Sequence, residues 1–158
     1  MPRRLTAAAT AAVSLALLAG CGGSSSSSSS SANFKPGYKS AMSQLAATST
    51  AIGTAVEGAS NQTDAELASS FKSLATRWES ETAQLDKLTA PASVASTFSV
   101  LKGAAARVGS DLAEISSAAS THDGSQAKTA TEHLVSDVAA GRTADRTIRA
   151  KLGLPAPS

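Results

Sequence analysis

The 158-residue chain contains one cysteine, two histidines, one tryptophan, one tyrosine and three phenylalanines. Each scarcity removes something. A single thiol has no partner for a disulfide within the chain, so no covalent staple supports the fold. Aromatics at 3% leave a core of mainly alanine and branched aliphatic residues, which must be thin and closely packed. Two histidines, with no Gly-x-Ser-x-Gly, His-Glu-x-x-His or phosphate-binding glycine loop, provide almost no material for a nucleophile and base, and catalysis is not expected. No stretch alternates apolar and polar residues in the strand period, and none reaches the ~20 apolar residues of a membrane-spanning helix.

Net charge is also small. The formal value is +2, but Arg3 and Arg4 supply both charges, and the other 12 basic residues face 12 acidic ones. A neutral chain with interspersed signs lacks the basic footprint of phosphate recognition, so nucleic acid is not an expected partner.

What is present begins at the N-terminus. Two arginines precede an apolar, alanine-rich stretch of about 15 residues, and small residues follow at Ala19 and Gly20. This is the three-part pattern of a secretory leader. Leu18-Ala19-Gly20-Cys21 resembles the lipobox of bacterial lipoproteins. The resemblance implies cleavage between Gly20 and Cys21, a diacylglyceryl group on the Cys21 thiol, and a protein held on the extracytoplasmic face of the cell membrane through that lipid. The Arg3-Arg4 pair leaves ordinary secretion and the twin-arginine route both open. Two acyl chains suffice for stable attachment where one is marginal. Gly22, Gly23 and eight serines follow; with no apolar surface to bury, residues 21–35 are expected to be a flexible tether of roughly 20 Å.

From residue 36 to residue 153 apolar residues recur at spacings of four and three, the helical period. Four series stand out: Tyr38 to Val56, Leu67 to Leu88, Val94 to Ala119 and Ala127 to Leu152. Thr63-Asp64-Ala65-Glu66 has the form of a capping box, Ala90-Pro91 separates the second and third series, Asp123 or Ser125 caps the fourth, and Gly153 ends it before the tail at 154–158. The expected fold is all-α, an up-down-up-down four-helix bundle, with helix one the shortest and weakest. Its rival is three long helices with the first loosely attached. The domain looks like the small alanine-rich helical lipoproteins of high-GC Gram-positive bacteria.

Within the series two acids, Glu81 and Asp145, occupy apolar slots. They define either a buried polar layer, with Arg77, Arg107, Arg142 and Arg149 as candidate partners, or two side chains that turn to the stripe edge and stay wet. Trp78, spaced with Leu74 and Leu85, is expected in the core. His133 and Asp137 share a helix face as a solvated pair, and the ferritin-type Glu-x-x-His pattern is missing, so no metal or other cofactor is expected. Small residues such as Ala105, Ala119 and Gly141 on the inward stripes predict a filled, narrow interior. The expected function is a non-catalytic envelope lipoprotein acting as a structural or protein-interaction module. The alternative is a binding protein holding a small apolar or lipid-like ligand between its helices. A cavity of several hundred Å³ favours the ligand and an exposed apolar patch favours a protein partner.

Overall fold

The computed structural model describes residues 26–156, with side chains from Asn33 onward; Gly20 and Cys21, the expected cleavage and lipidation site, lie outside them. Four α-helices, α1 (Ser26–Gly58), α2 (Asp64–Asp86), α3 (Ala95–Ser120) and α4 (Gly124–Leu152), run up-down-up-down, and no strand occurs among the described residues. Short connections make sequential helices antiparallel neighbours. A single 3₁₀ turn, Ala59–Asn61, joins α1 to α2.

The helix boundaries follow local chemistry. Thr63 caps α2 through the backbone N–H of Glu66, whose carboxylate reaches back to the Thr63 N–H, closing the expected box. Asp123 caps α4 by accepting from the N–H groups of Ser125 and Gln126. Gly153 stops α4 in the left-handed conformation at φ 65°, where the missing Cβ removes the usual steric penalty.

The expectation for α1 is corrected. It is the longest helix at 33 residues and continues through Pro36, whose ring removes a backbone donor and disfavours a helix interior by about 3 kcal/mol. Phe34 provides the compensation. Its ring stacks on Tyr38 at 5.3 Å between centroids and meets Phe98 edge-on at 5.2 Å, with both Phe34 and Tyr38 fully enclosed. The folded unit therefore starts before Pro36 and includes a residue that the serine-rich composition assigns to the tether. Gly37 lets α1 approach the end of α2 closely: a Cβ there would come within 2.8 Å of Leu88.

Helix α3 is central and buried on two faces. Ala105 and Gly109 lie against Trp78 of α2, while Leu101 and Ala104 lie against Gly141 of α4. The α3–α4 and α2–α3 seams are closed along their lengths, and α1 lies along α2. The fourth seam, between α1 and α4, is open through most of its length.

Candidate functional site

The open seam forms a cleft of about 580 Å³. Its α1 wall carries Met42, Leu45 and Ser49, its floor Trp78, Leu101, Ala104, Ala105 and Val108, and its α4 wall Val138 and Gly141. The floor residues are themselves almost fully enclosed, so the interior beneath them is filled as expected, and the cleft is a groove above them where α1 leans on α2 and stands off from α4.

The rotation of α1 explains the lining. Its buried side chains are Phe34, Tyr38, Ala41, Leu45, Thr48 and Ile52, so Met42 and Ser49 sit on the cleft edge instead of in the core. Trp78 is buried, as expected, and its indole N–H donates to the Ala105 carbonyl at 2.7 Å. That bond satisfies the ring's one polar group and fixes its apolar face as part of the floor.

Polar groups close the cleft at both ends. At one end Asp145, 4% exposed, accepts from the Tyr38 hydroxyl at 2.6 Å and from Arg149 Nε at 2.9 Å. Burial, then the adjacent carboxylate, raises the Tyr38 phenol well above its ordinary pKa, so it remains a donor. At the other end Arg107 of α3 pairs with Asp137 of α4 at 2.7 Å. Arg142 and Arg146 stand on the α4 wall beside Arg149, and neither has a carboxylate partner. The spacing 142, 146, 149 places all three on one helix face.

Glu81 and Asp145 are both largely enclosed, but they do not form one layer. Glu81 accepts from Thr48 at 2.8 Å and pairs with Arg77 at 2.9 Å, whereas Asp145 is held by Tyr38 and Arg149. The two α1 anchors, Tyr38 and Thr48, are ten residues apart, about 15 Å along a helix. Two separate polar clamps join α1 to its neighbours. Of the four candidate arginines, Arg77 and Arg149 take these acids, Arg107 takes Asp137, and Arg142 faces the cleft.

A third buried acid has no counterpart among the expected residues. Asp111 of α3 is 6% exposed and its Oδ2 has no hydrogen-bond partner. Desolvation raises its pKa, with further upward pressure from Asp137 and Glu114 and relief from His133 and Arg107. A raised carboxyl pKa means that the folded chain holds this proton to higher pH than the unfolded chain does. Its contribution to stability is therefore present in acid and lost as pH rises through the raised value. Asp111→Asn is expected to increase stability at neutral pH by roughly 1 to 3 kcal/mol, with the difference shrinking in acid; urea unfolding across pH measures it, and a pH-independent difference would contradict this account.

His133 is exposed and Asp137 is engaged by Arg107. Among the described residues no group of three or more His, Cys, Asp or Glu side chains is disposed to hold a metal. No described helix is long and apolar enough to cross a membrane. Comparison with protein-family models, with curated proteins and with solved structures finds no match.

Proposed function

We propose that the chain is a lipid-anchored lipoprotein of the cell envelope whose non-catalytic helical domain holds a small apolar or lipid-like ligand in the α1–α4 cleft. The cleft carries this reading. Its volume of about 580 Å³ lies within the 300–1,000 Å³ usual for small-molecule sites, and its floor is aliphatic and aromatic while its polar groups gather at the rim and ends. Such a surface favours an apolar body, with worth of about 0.8 kcal/mol per buried CH₂. Arg142 and Arg146 on the wall suit a ligand with an anionic or hydrogen-bond-accepting head.

The anchor rests on the leader and on Leu18-Ala19-Gly20-Cys21, which make the cysteine the lipidated first residue of the mature chain. A protein-interaction role has less support. Among the described residues only Val100 and Val135 are large apolar side chains left mostly exposed, on different helices, whereas a docking face normally presents a contiguous apolar patch.

The two halves of this proposal are tested separately. Metabolic labelling with an acyl precursor should mark the chain and fail with Cys21→Ala. For the cleft, a fluorescent medium-chain acyl probe should bind, and Ala46→Trp, which places an indole at the exposed α1 lip, should weaken it by roughly tenfold or more through loss of buried ligand surface. Unchanged probe binding in a folded Ala46→Trp protein would exclude the cleft as the site.

A further inference from the structure

The 12 basic and 12 acidic residues remaining after Arg3 and Arg4 cancel in number, but the fold separates them along the bundle axis. One end gathers the N-terminal half of α1, the C-terminus of α2, the start of α3 and the C-terminus of α4. Phe34 against Phe98, Gly37 against Leu88, and Lys151 on the Ser93 carbonyl establish this grouping. Six cations in this half, Lys35, Lys39, Lys87, Arg142, Arg146 and Lys151, have no carboxylate partner. Of its acids, Asp86 and Asp145 are taken by Lys102 and Arg149, and Glu81, nearer mid-length on α2, by Arg77, which leaves Glu79 as the acid without a basic partner.

The opposite half has the reverse balance. Arg107, at mid-length, and Lys128 are each paired with an acid, leaving Lys72 alone, while Glu57, Glu66, Glu114 and Asp123 face no basic partner. Helix dipoles do not dictate this division. Each end of an antiparallel bundle holds two helix N-termini and two C-termini, whose partial charges offset one another. Dipole compensation accounts for Lys151 in the last turn of α4, but it does not reach Lys35 and Lys39, which lie beyond the first turn of α1.

We infer that this basic end is a docking surface for an anionic lipid bilayer. The chain preceding α1 joins the domain at the same end. Cys21 is five residues before Ser26, a span of no more than about 18 Å when extended, and the helix from Ser26 to Lys35 adds about 14 Å. A lipid on Cys21 would keep the basic end within roughly 30 Å of the membrane surface, near enough to settle on it; that distance rests on the lipoprotein reading, whereas the charge separation does not. Each Lys or Arg near an anionic surface strengthens association by about fivefold. The acidic end is then directed away from the membrane, and the cleft arginines face the interface from which an amphiphile would enter.

The test is flotation of the full chain carrying Cys21→Ala, so that no acyl anchor contributes, with vesicles of phosphatidylcholine alone or with phosphatidylglycerol added. At low salt the glycerol-headgroup vesicles should bind roughly tenfold more protein, and the preference should vanish near 1 M salt, where the screening length is ~3 Å. Lys39→Glu with Lys87→Glu should remove at least about tenfold of that binding. Lys72→Glu with Lys128→Glu makes the same change in net charge at the other end and should change it by no more than about twofold. Circular dichroism checks that each variant is folded, and Lys39→Gln with Lys87→Gln serves if the reversal is not. Equal binding to both vesicle types, binding that survives high salt, or equal losses from the two pairs would overturn the inference. Neither Lys39 nor Lys87 lines the cleft, so failure here leaves the ligand proposal intact, and failure of probe binding leaves this one intact.

Discussion

Phe34→Ala is expected to destabilise the bundle by about 3 to 5 kcal/mol, the usual range for removing a phenylalanine from a core. The ring is 2% exposed and is one corner of a triangle with Tyr38 and Phe98, whose centroids stand 5.2 to 6.2 Å apart. Offset and edge-on contacts at such distances add about 0.5 to 1.5 kcal/mol per pair beyond area burial. The first turns of described α1 side chains have little else to hold them: Asn33 is exposed, Lys35 is half-buried and Pro36 is exposed. Loss of the ring should therefore fray α1 back past Pro36, where the proline already weakens the helix. Urea unfolding measures the loss, and amide exchange should locate it in α1 ahead of Tyr38. If Phe34 were part of a solvated tether, alanine there would change stability by no more than ~0.5 kcal/mol, and that result would place the domain boundary after Lys35.

The contrast between Phe34 and the α3 series shows what periodicity conveys. Val94, Phe98, Leu101, Ala105, Val108, Leu112, Ile115 and Ala119 are all buried as spaced, because α3 has neighbours on two sides and any apolar residue near either face is enclosed. The same centrality hides Asp111. It belongs to a second stripe, Leu101, Ala104, Val108, Asp111, Ile115 and Ala118, that faces α4, and one stripe per helix does not reveal a second. For α1 Tyr38, Leu45 and Ile52 are buried as spaced, but between them Ala41 and Thr48 are inside while Met42 and Ser49 line the cleft. Apolar periodicity alone selects Met42 over Ala41. The distinction comes from tertiary contact, since Thr48 enters the core only because Glu81 offers its hydroxyl an acceptor.

The cleft was hidden for a related reason. Small residues on a helix face allow a neighbour to approach closely, but they do not compel it. Between α3 and α4 the approach occurs, with Gly141 lying on Leu101 and Ala104. Around α1 it does not, because the aromatic triangle near its start and the Thr48–Glu81 clamp hold that helix toward α2 and α3. The enclosed alanines then form the floor of a groove. Composition lists the same residues in both outcomes, and the difference lies in where the few large side chains sit.

The Asp145 clamp tests whether that geometry is held in place. Asp145→Ala is expected to cost about 3 to 5 kcal/mol, the range for breaking a buried ion pair by removing one member. Two groups lose their partner together: Arg149, whose side chain is 12% exposed, and the enclosed Tyr38 hydroxyl. Arg149 keeps one bond to the Pro155 carbonyl, which places the expected loss near the lower end of that range. Tyr38→Phe removes only the hydroxyl contact to a charged acceptor and should cost roughly 1.5 to 3 kcal/mol. In the double variant the losses should fall short of additive, since the hydroxyl has no acceptor left to lose once Asp145 is gone. Asp145→Leu separates a clamp from a mere gap. A leucine that restores full stability and leaves acyl-probe binding unchanged would show the carboxylate to be dispensable, because well-packed apolar residues can replace buried ion pairs. Restored stability with altered probe binding would instead assign the clamp to the cleft: the Tyr38 hydroxyl bonds α4 through this acid, so its loss loosens one wall of the site relative to the other.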